Sequence, residues 1–384
     1  MGRGDAGNPA SGPPATPAGR SSWVLDRCAR HGFALAGIAE ARASARSAEF
    51  RAWIAAGRHG AMEYLAEAID RRLDPSALVP GARSVTCVAD RYADGRPDRR
   101  LPGVGRIARY ARGEDYHIVV RARLEALAEE LLAAFPAERF RVCVDTAPLM
   151  EREHAERAGL GRIGKHTLLI GPGGMGSWLV LGAVVSTLEL EPRRAPGAAG
   201  PHGAGSSDPC GGCTRCIDAC PTGAIEPWTV DASRCVSALT IEDRGTVADA
   251  FAGRTEDWLF GCDACQEACP HSQPTRRSLR AGVHEAYRPH VEGIPLLDVL
   301  GWTEADWESA RFTGVLRRAG LAMWRRNAAL AAAAVLADPA APRDVRDALR
   351  ARLSAVALDA ADAPEVRAAA RAALDAGDAR AASP

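Results

Sequence analysis

Cysteine spacing in the second half of the chain carries the clearest chemical signal. Cys210, Cys213, Cys216 and Cys220 follow the pattern C-x2-C-x2-C-x3-C, and a proline comes directly after the last cysteine. This run is typical of bacterial ferredoxins, where three cysteines bind one [4Fe–4S] cluster and the fourth binds its neighbour. The run therefore predicts two clusters, and it requires a second group of cysteines.

A second, incomplete run supplies that group. Cys262, Cys265 and Cys269 repeat the ending of the first run with its proline, but Leu259 holds the place of the first cysteine. Cys235 lies between the runs and can provide the missing ligand. The crossover rule divides the eight cysteines into two sets of four. Cluster one takes Cys210, Cys213, Cys216 and Cys269; cluster two takes Cys220, Cys235, Cys262 and Cys265.

Zinc is the main alternative occupant of paired C-x2-C motifs. A zinc ribbon does not account for the C-x3-C-P ending, which occurs twice, so we favour iron–sulfur clusters. The other three cysteines, Cys28, Cys87 and Cys143, lie in apolar or helical context and are interpreted as small buried hydrophobic residues. Two clusters carry electrons one at a time, so the chemistry has to lie elsewhere in the chain.

The composition is that of a globular protein without a membrane segment. The chain has 384 residues, and its 48 basic residues balance its 48 acidic residues. This balance argues against a general polyanion binder but leaves room for a local basic patch. No apolar run approaches the roughly 20 residues of a membrane helix, and the N-terminus has no signal pattern. We therefore expect a cytoplasmic protein, in which eleven cysteines serve metal or redox chemistry rather than disulfides.

Composition also divides the chain into five stretches. They are a disordered tail (1–20), an α/β domain (21–190), a linker or insertion (191–209), a ferredoxin-like domain for two [4Fe–4S] clusters (210–290) and a helical region (295–384). The α/β class follows from strand and helix patterns that alternate along the chain. The helical region is predicted to be HEAT-like, because two similar helices lie around Arg326–Ala337 and Pro364–Ala376.

Within the α/β stretch, one carboxylate occupies a position suited to chemistry. Val85–Ala89 and Phe140–Val144 have the pattern of strands, and Val119–Phe135 between them has that of a helix. Asp145 follows the second strand directly. Ligands of open α/β sheets gather at the carboxyl ends of strands. Asp145 is therefore either a proton donor with a raised pKa or the N-cap of the next helix.

Two segments imitate known motifs. Gly159–His166 fits G-x-G-x-x-G and nearly fits the phosphate-binding loop, but it follows a helix and precedes a strand, and His166 holds the Ser/Thr position. A nucleotide site is therefore disfavoured, whereas approach to another large cofactor stays open. Asp115-Tyr116-His117 begins like the corrinoid motif D-x-H-x-x-G, but Val120 replaces its glycine, which favours a simple helix start.

The order of these segments resembles the epoxyqueuosine reductases, which are cobalamin- and iron–sulfur-dependent enzymes of tRNA queuosine synthesis. The similarity covers about residues 21–335, and the eight cysteines with a detached Cys235 are its most specific part. The matching segments are PGARSV (80–85), RYARGEDYH (109–117), VDTAPLMER (144–152), AGLGRIGKH (158–166), GSWLVLG (176–182), RCVSALTIE (234–242), FGCDACQEACP (260–270) and WRRNA (324–328).

This resemblance implies a function. Family members reduce the epoxide of epoxyqueuosine at the tRNA wobble position to the cyclopentene of queuosine, with cobalamin in the α/β domain fed by a nearby cluster. Asp145 matches the family's proposed proton donor. Implied cobalamin contacts are Tyr110, Thr146, Ala147, Ile163, Gly164, Lys165, His166 and Leu168, with Asp263 beside the cluster. The implied partners are tRNA carrying epoxyqueuosine and an external electron donor, and we expect a monomer.

Binding of tRNA by a neutral chain requires local basic and aromatic groups. One set of arginines near the helical region is predicted to follow phosphates, with a solvated helix face as the alternative. It comprises Arg311, Arg317, Arg318, Arg325 and Arg326. Trp178, Trp228 and Trp258 are candidates for stacking on a flipped base.

Two other functions compete with this interpretation. One is a reductive dehalogenase-like corrinoid iron–sulfur enzyme that acts on a small molecule. Leu259 in place of a cysteine and the lack of an export signal argue against it. The other is a ferredoxin-like electron carrier without catalysis, for which the long domain ahead of the clusters is unnecessary.

Overall fold

Short strands and fifteen helices make up the part of the chain that the structure, a computed structural model, describes: residues 13–194, 208–247, 251–310 and 314–381. The strands are β1 (Leu35–Glu40), β2 (Ser84–Arg91), β3 (Val104–Ile107), β4 (Phe140–Cys143), β5 (Arg162–Ile163), β6 (Leu169–Ile170), β7 (Leu179–Ser186), β8 (Ile225–Glu226), β9 (Thr229–Val230), β10 (Trp258–Phe260) and β11 (Gly293–Pro295). The helices are α1 (Pro17–Arg30), α2 (Ser47–Ala55), α3 (Tyr64–Glu67), α4 (Ile69–Leu73), α5 (Tyr116–Ala134), α6 (Glu151–Arg157), α7 (Arg215–Asp218), α8 (Val236–Ile241), α9 (Ala264–Ala268), α10 (Arg276–Ala281), α11 (Leu296–Gly301), α12 (Glu304–Ser309), α13 (Leu321–Ala337), α14 (Arg343–Leu358) and α15 (Pro364–Ala381).

The main sheet has four strands in the order β1-β2-β7-β4. Every neighbouring pair is antiparallel; Cys87 in β2, for example, lies opposite Gly37 in β1 and Ala183 in β7. The predicted mixture of helices and strands is present. The parallel sheet that an α/β class implies is not, because strand order along the chain does not determine the direction in which neighbours pair.

Both faces of this sheet are covered. On one face α5 buries Val120 and Leu124, and a Cβ at Gly182 would lie 2.7 Å from Val120, so the glycine allows the helix to approach the sheet closely. On the other face α6 packs over Cys87 and Cys143. These two cysteines and Cys28 are buried to within 1% exposure, which confirms their interpretation as core residues.

A second sheet joins distant parts of the chain. Strand β3 pairs in parallel with β10, next to the second cysteine run, and antiparallel with β11. A strand from the predicted 21–190 domain therefore forms a sheet with strands beyond residue 209. The predicted boundary therefore lies between strands that pair with each other. Local sequence patterns could not reveal this, because the paired strands are about 150 residues or more apart in the chain.

The C-terminal region is helical, as predicted. Helices α13 and α15 correspond to the two helices expected from sequence, and α14 lies between them. Alanines at 328, 329 and 331–333 of α13 are fully buried, which lets the neighbouring helices approach closely. The ring of Trp324 stacks on Phe260 of β10 at 5.6 Å between centroids. Through this contact the helical region packs against the second sheet. The HEAT-like description stays a prediction.

Three predicted segments differ in detail. Helix α1 begins at Pro17, with Thr16 as its N-cap, so the predicted tail of residues 1–20 is too long; residues 1–12 lie outside the described part. The sequence pattern over residues 48–69 predicts one helix, but this stretch contains α2, α3 and the start of α4, and Gly57 and Gly60 adopt positive φ between α2 and α3. In the predicted linker, Arg193 bridges to Ile38 at the sheet edge, and residues 195–207 lie outside the description.

None of the described helices is both long and apolar enough to cross a bilayer.

Candidate functional site

Four of the eight cysteines line one cavity. Cys210 and Cys213 lie in the loop before α7, Cys216 lies within α7, and Cys269 lies at the C-cap of α9. All four contribute to the lining of a single cavity. This is the set that the crossover rule assigns to cluster one.

The other four thiols form a second group. Cys235 caps the N-terminus of α8, and its electrostatic neighbours include Cys220 and Cys262. Burial raises the pKa of Cys265, and the neighbouring Cys235 raises it further. The N–H of Ala224 donates to Cys220 Sγ at 3.3 Å. This group matches the set assigned to cluster two.

The number and type of donors in both groups suit a cluster. Among the described residues no three His, Cys, Asp or Glu side chains converge as ligands of a single metal ion. In a [4Fe–4S] cluster each thiolate binds a different iron atom, so the four sulfurs surround a volume rather than a point. The donor set therefore fits two clusters.

The loop from Gly164 to Leu168 lies against the first cysteine run. Lys165, the only lysine in the sequence, donates from its backbone N–H to Cys210 Sγ at 3.4 Å. Its Nζ donates to the carbonyls of Gly211 at 2.7 Å and Cys213 at 3.1 Å. The glycine-rich segment that imitates a nucleotide loop thus contacts the predicted ligands of cluster one.

The neighbouring His166 presents an unused donor. Its ring is 3% exposed and lines the cavity with the four cysteines. Nδ1 accepts a hydrogen bond from Leu168 N at 3.1 Å, whereas Nε2 is buried without a partner among the described residues. Burial lowers the pKa of His166 to about 4, so the ring is neutral at physiological pH. A buried N–H without an acceptor is costly, so a group that accepts a hydrogen bond would fit this cavity.

Asp145 stands on a strained turn directly after β4. Its φ is +45°, in the left-handed region that side chains other than glycine seldom adopt. The backbone N–H of Asp145 donates to Glu151 Oε1 at 2.6 Å, which holds the turn. Helix α6 starts at Glu151 with Met150 as its N-cap. The interpretation of Asp145 as a helix cap is therefore wrong.

A histidine that the sequence analysis did not assign to the site contacts Asp145. His117 Nε2 lies 2.9 Å from Asp145 Oδ2, and His117 Nδ1 lies 2.8 Å from Asp115 Oδ1. Asp115 also caps α5, so the predicted helix start at 115–117 is confirmed but incomplete. Burial lowers the pKa of His117, yet the hydrogen bonds to Asp115 and Asp145 outweigh it and raise this pKa to about 9.

The charge state of Asp145 follows from this contact. Burial favours its neutral form, but the hydrogen bond from His117 is stronger and holds the pKa of Asp145 below its ordinary value. The expectation of a raised pKa is therefore wrong for this arrangement. Burial and the charge of Asp145 instead raise the pKa of Glu151 to about 8. These directions favour an ionised Asp145 beside a protonated His117.

The Asp145 turn and the 164–168 loop are neighbours. Arg152, in the first turn of α6, donates through Nη1 to Thr167 O at 2.7 Å, and its guanidinium lies within electrostatic range of Asp145 and His166. Of the predicted contacts in these segments, Thr146 is exposed, whereas Ala147, Ile163 and Leu168 are half-buried and Gly164 is buried.

The remaining two residues of the predicted cofactor site are Tyr110 and Asp263. Tyr110 is half-buried, and its ring meets Tyr116 edge to face at 6.0 Å. Burial and the charges of Asp145 and Asp263 raise the pKa of Tyr110. Asp263 is fully buried and accepts from Arg109 N at 2.8 Å and from Arg109 Nη1 at 3.2 Å. It ties the segment after β3 to the second cysteine run.

The predicted arginine set is mostly engaged within the protein. Arg326 is fully buried and donates to three backbone carbonyls, and Arg325 pairs with Asp362. These two arginines are therefore wrong as phosphate contacts. Arg318 is exposed and pairs with Glu242 through two hydrogen bonds. Arg317 is also exposed, and Arg311 lies outside the described residues.

Aromatic exposure corrects the stacking candidates. Trp178 and Trp258 are 1% and 0% exposed, so neither presents a face to a ligand; Trp228 is 43% exposed. Tyr64, which sequence reasoning missed, is also 43% exposed, and the charge of Asp145 reaches it. The guanidinium of Arg318 lies 5.9 Å from the centre of its ring. No sequence pattern marks this residue, because its neighbours come from distant segments.

Comparison with known proteins identifies the family. Residues 72–146 match the family model "Epoxyqueuosine reductase QueG, DUF1730", and residues 209–272 match "4Fe-4S double cluster binding domain". An epoxyqueuosine reductase of Synechococcus sp. (strain RCC307) is 37% identical over 321 residues, which cover 82% of this chain and 94% of the relative. The chain belongs to the epoxyqueuosine reductase family. It is accordingly an oxidoreductase with a 4Fe-4S binding domain.

Further relatives agree with this assignment. An epoxyqueuosine reductase of Synechocystis sp. (strain ATCC 27184 / PCC 6803 / Kazusa) is 38% identical and covers 77% of this chain and 98% of its own. Among solved structures, an epoxyqueuosine reductase with an epoxyqueuosine-modified tRNA-Tyr stem loop superposes with a TM-score of 0.76 at 26% identity, covering 93% of this chain and 89% of that chain. The Streptococcus thermophilus epoxyqueuosine reductase has a TM-score of 0.74 at 25% identity, with 94% and 90% covered.

Proposed function

We propose that this reductase converts epoxyqueuosine to queuosine at the wobble position of tRNA. Conversion of an epoxide to an alkene takes up two electrons and two protons and releases water. Two [4Fe–4S] clusters and cobalamin, when bound, would supply the electrons, and Asp145 donates a proton to the substrate oxygen. One observation carries the proposal. The loop from Gly164 to Leu168 contacts the first cysteine run on one side and, through Arg152, the Asp145 turn on the other.

Two groups of four thiols support the proposed clusters. The ligands of cluster one are Cys210, Cys213, Cys216 and Cys269, and those of cluster two are Cys220, Cys235, Cys262 and Cys265. Electrostatic contact between Cys216 and Cys265 makes the two groups neighbours. Clusters held by these cysteines would supply single electrons from an external donor beside the loop that contacts the Asp145 turn.

The residues around Asp145 support a large cofactor. Thr146 is exposed, and the half-buried Ala147, Ile163 and Leu168 offer apolar surface beside it. Arg72, within electrostatic range of Asp145, has its Nε buried without a partner among the described residues. Cobalamin, when bound, supplies a cobalt centre capable of two-electron chemistry. The proposed contacts are Tyr110, Thr146, Ala147, Ile163, Gly164, Lys165, His166 and Leu168, with Asp263 beside the cluster.

The proton path starts from the Asp145–His117 pair. In the free enzyme the shared proton lies on His117, because the pKa of His117 is raised to about 9 and that of Asp145 is lowered. Displacement of water by a bound substrate raises the pKa of a carboxylate. Asp145 can then take the proton across the 2.9 Å contact and pass it to the epoxide oxygen. His117 acts as the proton reservoir.

The exposed side of this face supports the tRNA substrate. Tyr64 and Arg318 lie side by side near Asp145. Unstacked RNA bases bind by stacking on aromatic rings and arginine planes. We propose that these two residues contact the wobble nucleotide or its neighbour. The structure with a tRNA stem loop bound to an epoxyqueuosine reductase supports the substrate class.

Spectroscopy and turnover test the proposal together. The full chain, reconstituted anaerobically with iron and sulfide and then with cobalamin, is expected to show corrin bands beside iron–sulfur absorption. It should form queuosine in tRNA that carries epoxyqueuosine when a chemical reductant is supplied. Failure to bind cobalamin, or turnover of small halogenated molecules instead of tRNA, would overturn the proposal.

One substitution tests the proton donor. Asp145→Asn is expected to retain clusters and cobalamin but to lose turnover by about 100-fold or more, the usual contribution of a general acid. Asp344→Asn, at an exposed carboxylate in α14, is the matched control and should leave turnover unchanged. Full activity of Asp145→Asn would remove Asp145 from the mechanism.

The proposal also covers the electron donor, the oligomeric state and the cellular compartment. The electrons come from an external donor, the enzyme acts as a monomer, and it works in the cytoplasm. Size-exclusion chromatography with light scattering tests the second of these directly, since a monomer has a mass of 40.4 kDa.

A further inference from the structure

The cavity between the first cysteine run and the 164–168 loop has an unsatisfied donor in its wall. The Nε2 of His166 is buried and unpartnered among the described residues. The other side chains of the wall are four cysteines, Pro270 and His271. No acceptor in that wall reaches Nε2, although the ring is only 3% exposed and therefore shielded from water.

The ring of His166 is held so that this nitrogen carries its hydrogen. Leu168 N donates to Nδ1 at 3.1 Å, so Nδ1 offers its lone pair and the neutral ring bears its proton on Nε2. Gly164 leaves room for this orientation, because a Cβ there would lie 3.1 Å from Cε1 and 3.4 Å from Nε2 of the ring. The donor is fixed in position before anything occupies the cavity.

The occupant that the cavity fits is an iron–sulfur cluster, and this step rests on the proposed function. Sulfide and thiolate sulfurs of a cluster accept hydrogen bonds. A first donor to the same group is already in place, since Lys165 N donates to Cys210 Sγ at 3.4 Å. Lys165 also places its ammonium on the carbonyls of Gly211 and Cys213.

We propose that His166 donates an N–H···S hydrogen bond to cluster one and thereby sets its reduction potential. A reduced cluster carries one more negative charge than an oxidised one, so a donor to its sulfur stabilises the reduced form more. His166 therefore raises the reduction potential of cluster one. A higher potential favours the reduced state of this cluster, which lies next to the loop that contacts the Asp145 turn. His166 is a positioning and potential-setting residue, not a residue that touches the substrate.

Redox titration of cluster one tests this role without turnover. His166→Phe is expected to shift the ratio of oxidised to reduced cluster about tenfold at a given potential, which is a decrease of about 59 mV for a one-electron couple. His166→Gln keeps an N–H donor of similar reach and is expected to restore most of the wild-type potential. Titrations are followed by electron paramagnetic resonance on the full chain, with and without cobalamin.

His271→Phe is the matched control. His271 lines the same cavity, but its Nε2 is already engaged with Pro209 O at 3.0 Å. A shift caused only by a drier or larger cavity wall would appear in both variants, whereas a lost hydrogen bond to the cluster appears in His166→Phe alone. The signal of cluster one is assigned as the one that persists in Cys235→Ala.

The outcomes separate this inference from the proposed function. Wild-type protein that assembles two clusters, with equal potentials in His166→Phe and wild type, refutes the role of His166 and leaves the proposed function intact. Wild-type protein that assembles no cluster removes both. If His166→Phe does not assemble cluster one, hydrogen–deuterium exchange of the reduced wild-type cluster decides instead. An exchangeable proton coupled to cluster one, together with a coupled histidine ring nitrogen, would support the ring donor. Coupling to backbone nitrogen alone would refute it.

Discussion

The histidine between two carboxylates makes the sharpest prediction. His117 contacts Asp115 at 2.8 Å and Asp145 at 2.9 Å, and these contacts raise the pKa of His117 to about 9. The ordinary value is 6.5. A difference of about 2.5 corresponds to roughly 3 kcal/mol in favour of the protonated ring, at about 1.36 kcal/mol per pH unit.

Asp145 supplies the smaller part of this energy. Its side chain is 55% exposed and that of Asp115 is 13% exposed, so water screens the Asp145 contact more strongly. Less than half of the total then belongs to Asp145, or about 1 kcal/mol. Asp145→Asn is therefore expected to lower the pKa of His117 by about 1. Asp115→Asn is expected to lower it further, while the asparagine oxygen can still cap the N-terminus of α5.

The sign of the stability effect follows from the raised pKa. Protonation of His117 stabilises the folded protein fully below pH 6.5, and this contribution is lost as the pH rises through about 9. Asp145→Asn should lose it over a narrower range that ends about one pH unit lower. Wild type and variant therefore differ most in stability below pH 6.5 and become similar above pH 9.

Histidine NMR measures this pKa directly. The Cε1–Hε1 signals of the nine histidines are followed against pH in the oxidised, cluster-loaded protein, and His117 is assigned from its loss in His117→Gln. The signal of His31, which lies 3.0 Å from Glu130, serves as the internal control and should be unchanged by Asp145→Asn. A His117 pKa near 6.5 in wild type, or one that Asp145→Asn leaves unchanged, would refute the paired geometry.

The remaining predictions concern ligands, a buried cation and the exposed aromatic. Cys235→Ala should lower the iron content by about one cluster, from about eight atoms toward four; unchanged iron in a colorimetric assay contradicts the ligand partition. Arg326→Met removes a buried guanidinium from three carbonyls and should cost about 3–5 kcal/mol of stability in urea denaturation, whereas Arg343→Met, exposed at 89%, should cost almost nothing. Tyr64→Ala should raise the KM for tRNA by about 5-fold or more, from lost base stacking of about 1–3 kcal/mol, with kcat less affected. Tyr64→Phe should behave as wild type, and equal KM values in all three proteins would exclude stacking.

Local segments and the cysteine chemistry were predictable from sequence. The two cysteine runs state their ligand chemistry through spacing alone, because short intervals between thiols constrain a few residues of backbone. Helix α5 and strands β2 and β4 follow from hydrophobic periodicity. The position of Asp145 after a strand was likewise readable. Each of these features depends on residues close together in the chain.

The direction of strand pairing and the contacts of individual side chains depended on the tertiary structure. The sheet is antiparallel, and β3 joins strands more than 150 residues later, although nothing in either strand specifies its neighbour. Arg326 looked like a phosphate contact and is a buried donor to backbone carbonyls, because the distant segment of residues 239–245 packs against it. Trp178 and Trp258 became core residues for the same reason.

The properties of the site likewise depend partly on the sequence and partly on the fold. The amino-acid sequence determined which groups are present: eight thiols, a carboxylate after a strand, and a glycine loop with a lysine and a histidine. Only the folded chain decided that His117 binds Asp145, which reverses the expected direction of the Asp145 pKa, and that His166 turns an unused N–H toward four cysteines. Electrostatic coupling falls with distance through space rather than along the chain, so the charge state of a site is a property of its packing.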